Sequence, residues 1–113
     1  MSDLNALVGR KIGLEPERFA ADVEENGEYD CVVRELWPNF KHDIAAAWLL
    51  VEWMHGQGWT FSLWFGRLAC AKFLLADNDV YTAEHENPAT AITRAFCAAN
   101  GIAVEQSEEA HRP

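Results

Sequence analysis

The sequence predicts an α+β protein, an α/β/α layered sandwich with a central antiparallel sheet of three to four strands and about three helices. The first observation is the stretch WTFSLWFGRLACAKFLL, residues 59–75, in which apolar residues occupy both faces of a strand pattern. The second is that helical apolar periods precede and follow this stretch. A sheet that is apolar on both faces needs cover, and we expect helices on both sides. The alternative is that one face, centred on Trp64 and Phe73, stays open as a binding or dimer surface.

The amino-terminal third is predicted to hold one helix and one strand. The helix runs from Ser2, a favourable N-cap residue, to a stop at Gly13, since glycine commonly follows a helix C-terminus. The next segment shows no strong period, and we expect a turn at Pro16 and a loop at residues 24–27. Residues 29–36 alternate weakly and contain two adjacent valines, which indicates a strand.

Two further helices are predicted. The second covers residues 41–55, and its wide apolar arc is typical of a deeply packed helix with Trp48 in the core. The third has the clearest boundaries, because Asn87 is suited to the N-cap, Pro88 to the first turn and Gly101 to the end of the helix.

The central apolar stretch is predicted to fold as a β-hairpin. Its loop consists of residues 66–67, because glycine in the first of two loop positions is typical of a type II′ turn. Counting outward from this loop places Phe61 and Phe73 on opposite faces of the sheet. Residues 77–79 are expected to form a second turn, and residues 80–85 a third, more polar strand.

The chain of 113 residues is predicted to form one domain, residues 1–104, followed by a flexible acidic tail, residues 105–113. The net charge is −9 and no basic stripe is present, which argues against direct binding of nucleic acid. Three cysteines form an odd number without C-x-x-C spacing, and this pattern favours a reducing compartment, the cytosol. Because the sequence contains neither a membrane-length apolar run nor a signal segment, we expect a soluble protein.

Three candidates for catalytic or metal-binding groups each have a simpler explanation. His42 and Asp43 are adjacent on a helix and do not face each other, and an acidic residue in the first turn favours the helix dipole. The glutamates on either side of His85 point to the opposite face of a strand. The acidic turn at residues 77–79 lacks the later ligands of a calcium loop. We therefore predict no catalytic residues, no metal and no cofactor.

Acidic residues are concentrated in one segment, and several tryptophans are available for contact. Residues 15–35 contain eight acids and two arginines, a net charge of −6. The segment is either a solvated loop that keeps the protein soluble or a negative surface that competes for a basic, nucleic-acid-binding groove. Trp48 and Trp59 fall on core stripes, whereas the other indoles suit a second core layer and partner contact equally. The candidate partner-binding residues are Glu24, Glu25, Glu28, Asp30, Glu35, Trp37, Trp53 and Trp64.

Three motifs occur in an order that resembles a known family. They are DIAAAW at residues 43–48, GWTFSL at 58–63 and PAxAIxRA at 88–95. Through these motifs the chain is similar, over residues 4–101, to the phage ABA-sandwich domain family. The resemblance implies an α-β-α sandwich encoded by a bacteriophage or prophage, and it brings no assigned catalytic residues. Together with the cysteine pattern, this origin places the expected site of action in the host bacterial cytoplasm. The chain departs from the family in its acidic stretch 22–30 and in its polar tail.

From these observations we expect a small acidic phage or prophage accessory protein, not an enzyme, that binds a host bacterial protein with a basic surface. Its concrete form is an inhibitor of a host defence complex, similar to an anti-CRISPR protein. Two alternatives stay open. One is a small-ligand or enzymatic site between the second helix and the hairpin that uses His55 and His85. The other is a homo-oligomeric phage structural or replication accessory protein.

Overall fold

The computed structural model describes residues 4–25, 27–76 and 79–103, and within them it contains three helices and two antiparallel sheets. The elements in chain order are α1 (Leu4–Lys11), β1 (Glu17–Glu25), β2 (Glu28–Leu36), α2 (Ile44–Gly56), β3 (Thr60–Phe65), β4 (Ala69–Leu75), β5 (Asp79–His85) and α3 (Pro88–Asn100). The α+β class predicted from the sequence is confirmed. The predicted N-cap Ser2, two residues of the predicted turn 77–79 and the predicted tail 105–113 lie outside the described residues.

The core consists of the three-stranded sheet and the helices α2 and α3. The strands follow one another in the order β3-β4-β5 as an antiparallel meander. Helices α2 and α3 contact each other and lie on the same face of this sheet, where the rings of Phe61 and Phe73 meet. The largest fully buried apolar side chains include Val8, Phe40, Leu50, Met54, Phe73, Ile92 and Phe96.

Within the described residues, α2 and α3 cover one face of the three-stranded sheet, and the opposite face carries exposed side chains. Trp64 and Val80 are each 47% exposed on this face, whereas Phe73, which the sequence placed beside Trp64, is fully buried on the covered face. Helix α1 packs instead near the connection between β2 and α2, where Val8 and Phe40 join the same hydrophobic cluster. The open face is the alternative that the sequence allowed.

The loop between β3 and β4 has three residues, 66–68, and not the two that the sequence predicts. The amide of Gly66 donates a hydrogen bond to the carbonyl oxygen of Leu68 at 3.1 Å. Gly66 does not adopt the positive φ that the first loop position of a type II′ turn requires. Because a shift of one residue moves every side chain of a strand to the other face, Phe61 and Phe73 share the covered face, with ring centroids 5.0 Å apart.

Helix α2 begins at Ile44 rather than at residue 41, because Asp43 is its N-cap and accepts a hydrogen bond from the amide of Ala45 at 2.9 Å. The prediction that Trp48 lies in the core is wrong. Trp48 is 45% exposed, and its ring makes an edge contact with Phe61 of the sheet, at 5.7 Å between ring centroids. A neighbouring stripe of the helix faces the core in its place. That stripe consists of Ala46, Ala47, Leu50, Val51 and Met54.

Helix α3 has the boundaries that the sequence predicts. The side chain of Asn87 caps its first turn by accepting from the amide of Ala89 at 2.9 Å. Gly101 ends the helix in the left-handed conformation, with φ 71°. The amide of Ile102 then donates to the carbonyl of Cys97 at 2.9 Å, which is the arrangement of a Schellman end.

Two buried threonines of α3 hold the connection between β2 and α2. The hydroxyl of Thr90 donates to the carbonyl of Lys41 at 2.6 Å, and that of Thr93 donates to the carbonyl of Phe40 at 2.8 Å. From the other side, the amide of Phe40 donates to the side chain of Asn5 in α1 at 3.2 Å. These bonds hold in place the segment that connects the core to the second sheet, which consists of β1 and β2.

Strands β1 and β2 form this second sheet, a two-stranded antiparallel hairpin. Strand β2 confirms the strand predicted over residues 29–36. The expected turn at Pro16 and the loop at 24–27 are wrong within the described residues, because residues 17–25 form a strand and β2 begins at Glu28, and Asn26 of the predicted loop lies outside the described residues. Neither strand packs extensively on another element in the described part of the chain, and the molecule measures 58 × 34 × 22 Å. The hairpin therefore projects from the core, and we refer to it, residues 17–36, as the arm.

Candidate functional site

The outer half of the arm carries a concentrated negative charge. Residues 22–30 contain five acids and neither lysine nor arginine, a net charge of −5. The side chains of Asp22, Glu24 and Glu28 are exposed, whereas the side chains of Glu25 and Asp30 lie outside the described part of the structure. The acids that the sequence assigned to a loop thus lie on paired strands. Successive strand positions face opposite sides, so both faces of the arm carry acidic positions.

Large apolar side chains are exposed on the same arm. Val33 is 69% exposed, and Phe19 and Leu36 are about half exposed. The register places Phe19 and Leu36 on one face of the hairpin and Val33 on the other. A two-stranded hairpin buries too little surface to be stable by itself, and exposed apolar groups on it are typical of a contact element.

Glu35 belongs to a network that joins the base of the arm to α1. Its Oε1 accepts hydrogen bonds from Nη2 of Arg10 at 3.1 Å and from the indole Nε1 of Trp37 at 3.2 Å. Its Oε2 accepts from Nη2 of Arg18 at 3.5 Å. The Glu35 carboxylate thus already has three internal donors, and its contact with a partner stays a prediction.

Trp37 packs between the arm and α1, which agrees with the core alternative that the sequence left open for it. Its side chain is only 8% exposed. The ring lies directly against Gly9 of α1, and the guanidinium carbon of Arg10 is 5.1 Å from the ring centroid. The indole fits there because Gly9 has no side chain. The one signal for this packing in the sequence is a glycine inside a helical pattern.

The two other candidate indoles, Trp53 and Trp64, have different environments. Trp53 is partly buried and meets Phe96 edge-on, with 5.9 Å between ring centroids, so it belongs to the second core layer that was its alternative assignment. Trp64 is half exposed on the open face of the sheet. Of the three tryptophans proposed for partner contact, Trp64 is therefore the one with an accessible ring.

A groove that the sequence does not predict separates the base of the arm from α2. It has a volume of about 420 Å³. Most of its lining is apolar, and two exposed glutamates complete it. The lining residues are Leu14, Glu15, Glu17, Leu36, Trp37, Pro38 and Leu49. No motif marks the groove, because its residues come from the α1–β1 connection, both strands of the arm, the segment after β2 and helix α2.

A second depression of about 360 Å³ lies beside Trp64 on the open face of the sheet, and Cys70 and Glu84 contribute to it. Burial raises the pKa of the Cys70 thiol, the Glu84 carboxylate raises it further, and the neighbouring Lys72 acts in the opposite direction. A thiol with a raised pKa is a poor nucleophile at neutral pH. Cys70 therefore packs in this depression as a small apolar side chain.

The side chains considered from the sequence for metal or ligand binding are separated in the structure. The described residues contain no group of three or more His, Cys, Asp or Glu side chains that could hold a metal ion. His55 lies at the end of α2, next to the start of β3, whereas His85 pairs with Ala69 at the opposite end of the sheet. The two histidines are thus not brought into one site. Among the described helices, none has the length and apolar character needed to cross a membrane.

The fold and its surfaces define a small α+β protein with a projecting acidic arm, an apolar groove at the base of the arm and an open sheet face. The chain matches no family model, no curated protein and no solved structure. Its resemblance to the phage ABA-sandwich domain family therefore stays a prediction from the three sequence motifs.

Proposed function

We propose that this protein is a non-enzymatic accessory protein that binds a host bacterial protein with a basic surface, and that the arm is its contact element. Its concrete form is an inhibitor of a host defence complex, similar to an anti-CRISPR protein, that acts in the bacterial cytoplasm. The phage context rests on the sequence resemblance alone. The mode of binding rests on the arm.

One observation carries the proposal, namely five acids without a counter-charge on the outer half of a projecting hairpin. The nearest basic residue along β1 is Arg18, four positions before Asp22, or about 13 Å along a strand. This separation exceeds the screening length of about 8 Å at physiological ionic strength, so Arg18 does not neutralise the outer half of the arm, residues 22–30, which we call the tip. At the base, in contrast, Glu35 is paired with Arg10 and Arg18.

A tip with this charge is attracted to grooves rich in lysine and arginine, such as those that hold nucleic acid. Charge complementarity of this kind mainly raises the association rate and selects the partner, and it weakens as salt is added. The exposed rings and methyl groups of Phe19 and Val33 lie on the same strands and can be buried once the arm has docked. Apolar burial supplies the part of the affinity that salt does not screen.

The test compares two double variants that each remove two exposed carboxylates. In E24Q/E28Q the charges are lost from the arm, and in E52Q/E86Q they are lost from α2 and the β5–α3 connection. Wild type and both variants are immobilised and exposed to the heparin-binding fraction of a bacterial lysate, which is enriched in proteins with basic surfaces. Bound protein is eluted with a salt gradient, identified, and assayed for nucleic-acid binding with and without the free protein.

The proposal predicts that wild type and E52Q/E86Q retain the same basic protein and block its nucleic-acid binding. E24Q/E28Q should retain several-fold less of it and release it at lower salt. Equal retention by all three proteins, or retention indifferent to salt, would contradict an electrostatic role for the arm. Failure to retain any basic protein would count against the function as a whole.

The open face of the three-stranded sheet supports a second candidate, a homo-oligomeric phage structural or replication accessory protein. Trp64 and Val80 are exposed there beside the depression that contains Cys70. Large exposed apolar groups on a sheet face are common in subunit interfaces. Light scattering decides between the two candidates, because a monomer at high protein concentration eliminates the oligomer.

A further inference from the structure

The groove at the base of the arm indicates what kind of segment the partner presents. The inference rests on the proposed function, in which the arm binds a basic protein. We propose that the groove receives an apolar side chain from a partner segment in which the neighbouring residues are lysine or arginine.

The lining of the groove suits an apolar side chain. Its volume of about 420 Å³ falls within the range of about 300–1,000 Å³ that is typical of ligand sites. Trp37 is buried beneath it, Leu14 and Pro38 are partly buried, and the side chains of Leu36 and Leu49 are exposed on either side. An apolar group that enters removes both its own surface and these leucines from water, which is favourable.

The charges around the groove select cationic neighbours for that apolar side chain. Glu15 and Glu17 are both exposed lining residues. Within the described residues, neither carboxylate has a hydrogen-bond or ion-pair partner, whereas the nearby Glu35 has three donors. Lysine or arginine beside the apolar group would supply the missing partners. A second copy of this chain is disfavoured, because each copy carries a net charge of −9.

The groove and the arm form one continuous surface. Glu17 and Leu36 line the groove and are also the first cross-strand pair of the arm. Phe19 lies on the same face of the hairpin, two positions further toward the tip. A segment anchored in the groove therefore continues along this face toward the end of the hairpin, where the register places the exposed Glu28 on the same face and a further basic residue would be accommodated.

Two short synthetic peptides with equal numbers of lysines test the inference. One has leucine and tryptophan at its centre, and the other has serine and glycine at these positions. Their dissociation constants are measured by fluorescence anisotropy against four forms of the protein. These are wild type, L36Q/L49Q in the groove, the control L68Q/V80Q, and E24Q/E28Q on the arm. The control replaces two exposed apolar residues that do not line the groove.

We expect wild type to bind the apolar peptide about ten-fold more tightly than the polar one, because one large apolar side chain is buried. L36Q/L49Q should bring this ratio close to one, and L68Q/V80Q should preserve it. E24Q/E28Q should weaken both peptides by the same factor and leave the ratio unchanged. All four substituted apolar positions are exposed, so we expect every variant to fold. Circular dichroism checks this.

The outcomes separate this inference from the proposed function. Equal binding of the two peptides to wild type, weakened by E24Q/E28Q, would overturn the groove inference and leave the electrostatic role of the arm intact. A ratio that L36Q/L49Q does not change would also overturn it. If neither peptide binds, both proposals fail. If L36Q/L49Q instead converts a dimer to a monomer in light scattering, the groove is covered by a second copy and the inference is wrong.

Discussion

The substitution Gly9→Ala tests how the arm is attached to the core. The ring of Trp37 lies directly on Gly9, and a Cβ atom at this position would overlap the Cε3 and Cζ3 atoms of the ring. The ring has little freedom to move away. It is buried, its Nε1 donates to Glu35 at 3.2 Å, and Arg10 lies over one of its faces.

Two opposing effects determine the size of the change in stability. Alanine in place of glycine within a helix contributes up to about 1 kcal/mol of stability. Overpacking of a well-packed site costs about 1–3 kcal/mol, and direct overlap with two atoms of a fixed ring places Gly9 in the upper half of this range. We therefore expect G9A to lower the free energy of unfolding by about 1–2 kcal/mol.

Urea denaturation followed by far-ultraviolet circular dichroism measures this change, and a double-mutant cycle assigns its cause. The variant W37L removes the overlapping ring atoms. In the W37L background, G9A should therefore raise the free energy of unfolding by up to about 1 kcal/mol. The control G56A, where the added Cβ meets no atom within 4 Å, should leave stability unchanged or raise it slightly. A coupling energy below about 0.5 kcal/mol between positions 9 and 37 would refute the packing of the indole on α1.

Two further predictions concern the core and the cysteines. Thr93→Val removes a buried hydroxyl that bonds the carbonyl of Phe40, and we expect it to cost about 1–3 kcal/mol in urea denaturation, whereas the exposed control Thr82→Val should be close to neutral. In a thiol-titration assay at neutral pH, Cys31 should react rapidly in the native protein and the two buried cysteines only after unfolding. Burial raises the pKa of the Cys70 thiol, so little thiolate is present at neutral pH. Fast reaction of Cys70 would therefore contradict its burial.

The parts of the fold that were predicted correctly are specified by local chemistry. Helix α3 is bounded by Asn87, which caps the first turn, and by Gly101, which adopts a positive φ at the end. Both effects involve residues within one helical turn, so the sequence is sufficient to locate them. The strand over residues 29–36 and the third strand of the meander were likewise recognisable from alternation and β-branched residues.

The incorrect predictions depend on packing between distant segments. The sequence does not reveal strand β1, because most of the described side chains on both faces of the arm are exposed, and a strand without a buried face shows no alternation. Asn26 and Gly27 form the dipeptide most typical of a tight hairpin turn, but the acids around them interrupt the apolar alternation that marks the flanking strands of a hairpin. Trp48 was placed in the core because the apolar arc of α2 is wide, and periodicity does not determine which stripe of such an arc faces the sheet.

The candidate site divides in the same way. The acidic tip was predicted because net charge can be counted without a fold. The groove could not be predicted, since Leu14, Leu36 and Leu49 are brought together only after the arm has been placed against α2. The contacts of Glu35 and Trp37 with Arg10 and Gly9 could not be predicted either, because these partners lie more than 20 positions earlier in the sequence.

The charge on the arm works against its own folding, and this conflict supports a role in binding. Glu25 lies directly opposite Glu28 at the tip, and like charges in opposing strand positions are destabilising by about 0.2–1 kcal/mol. A basic partner would relieve this repulsion when it binds. We expect Glu28→Gln to slow amide hydrogen exchange in the arm by about two- to five-fold while it weakens peptide binding. If exchange in the arm is unchanged or faster, the acids do not strain the hairpin, and the solvated-surface explanation of the acidic segment becomes the better one.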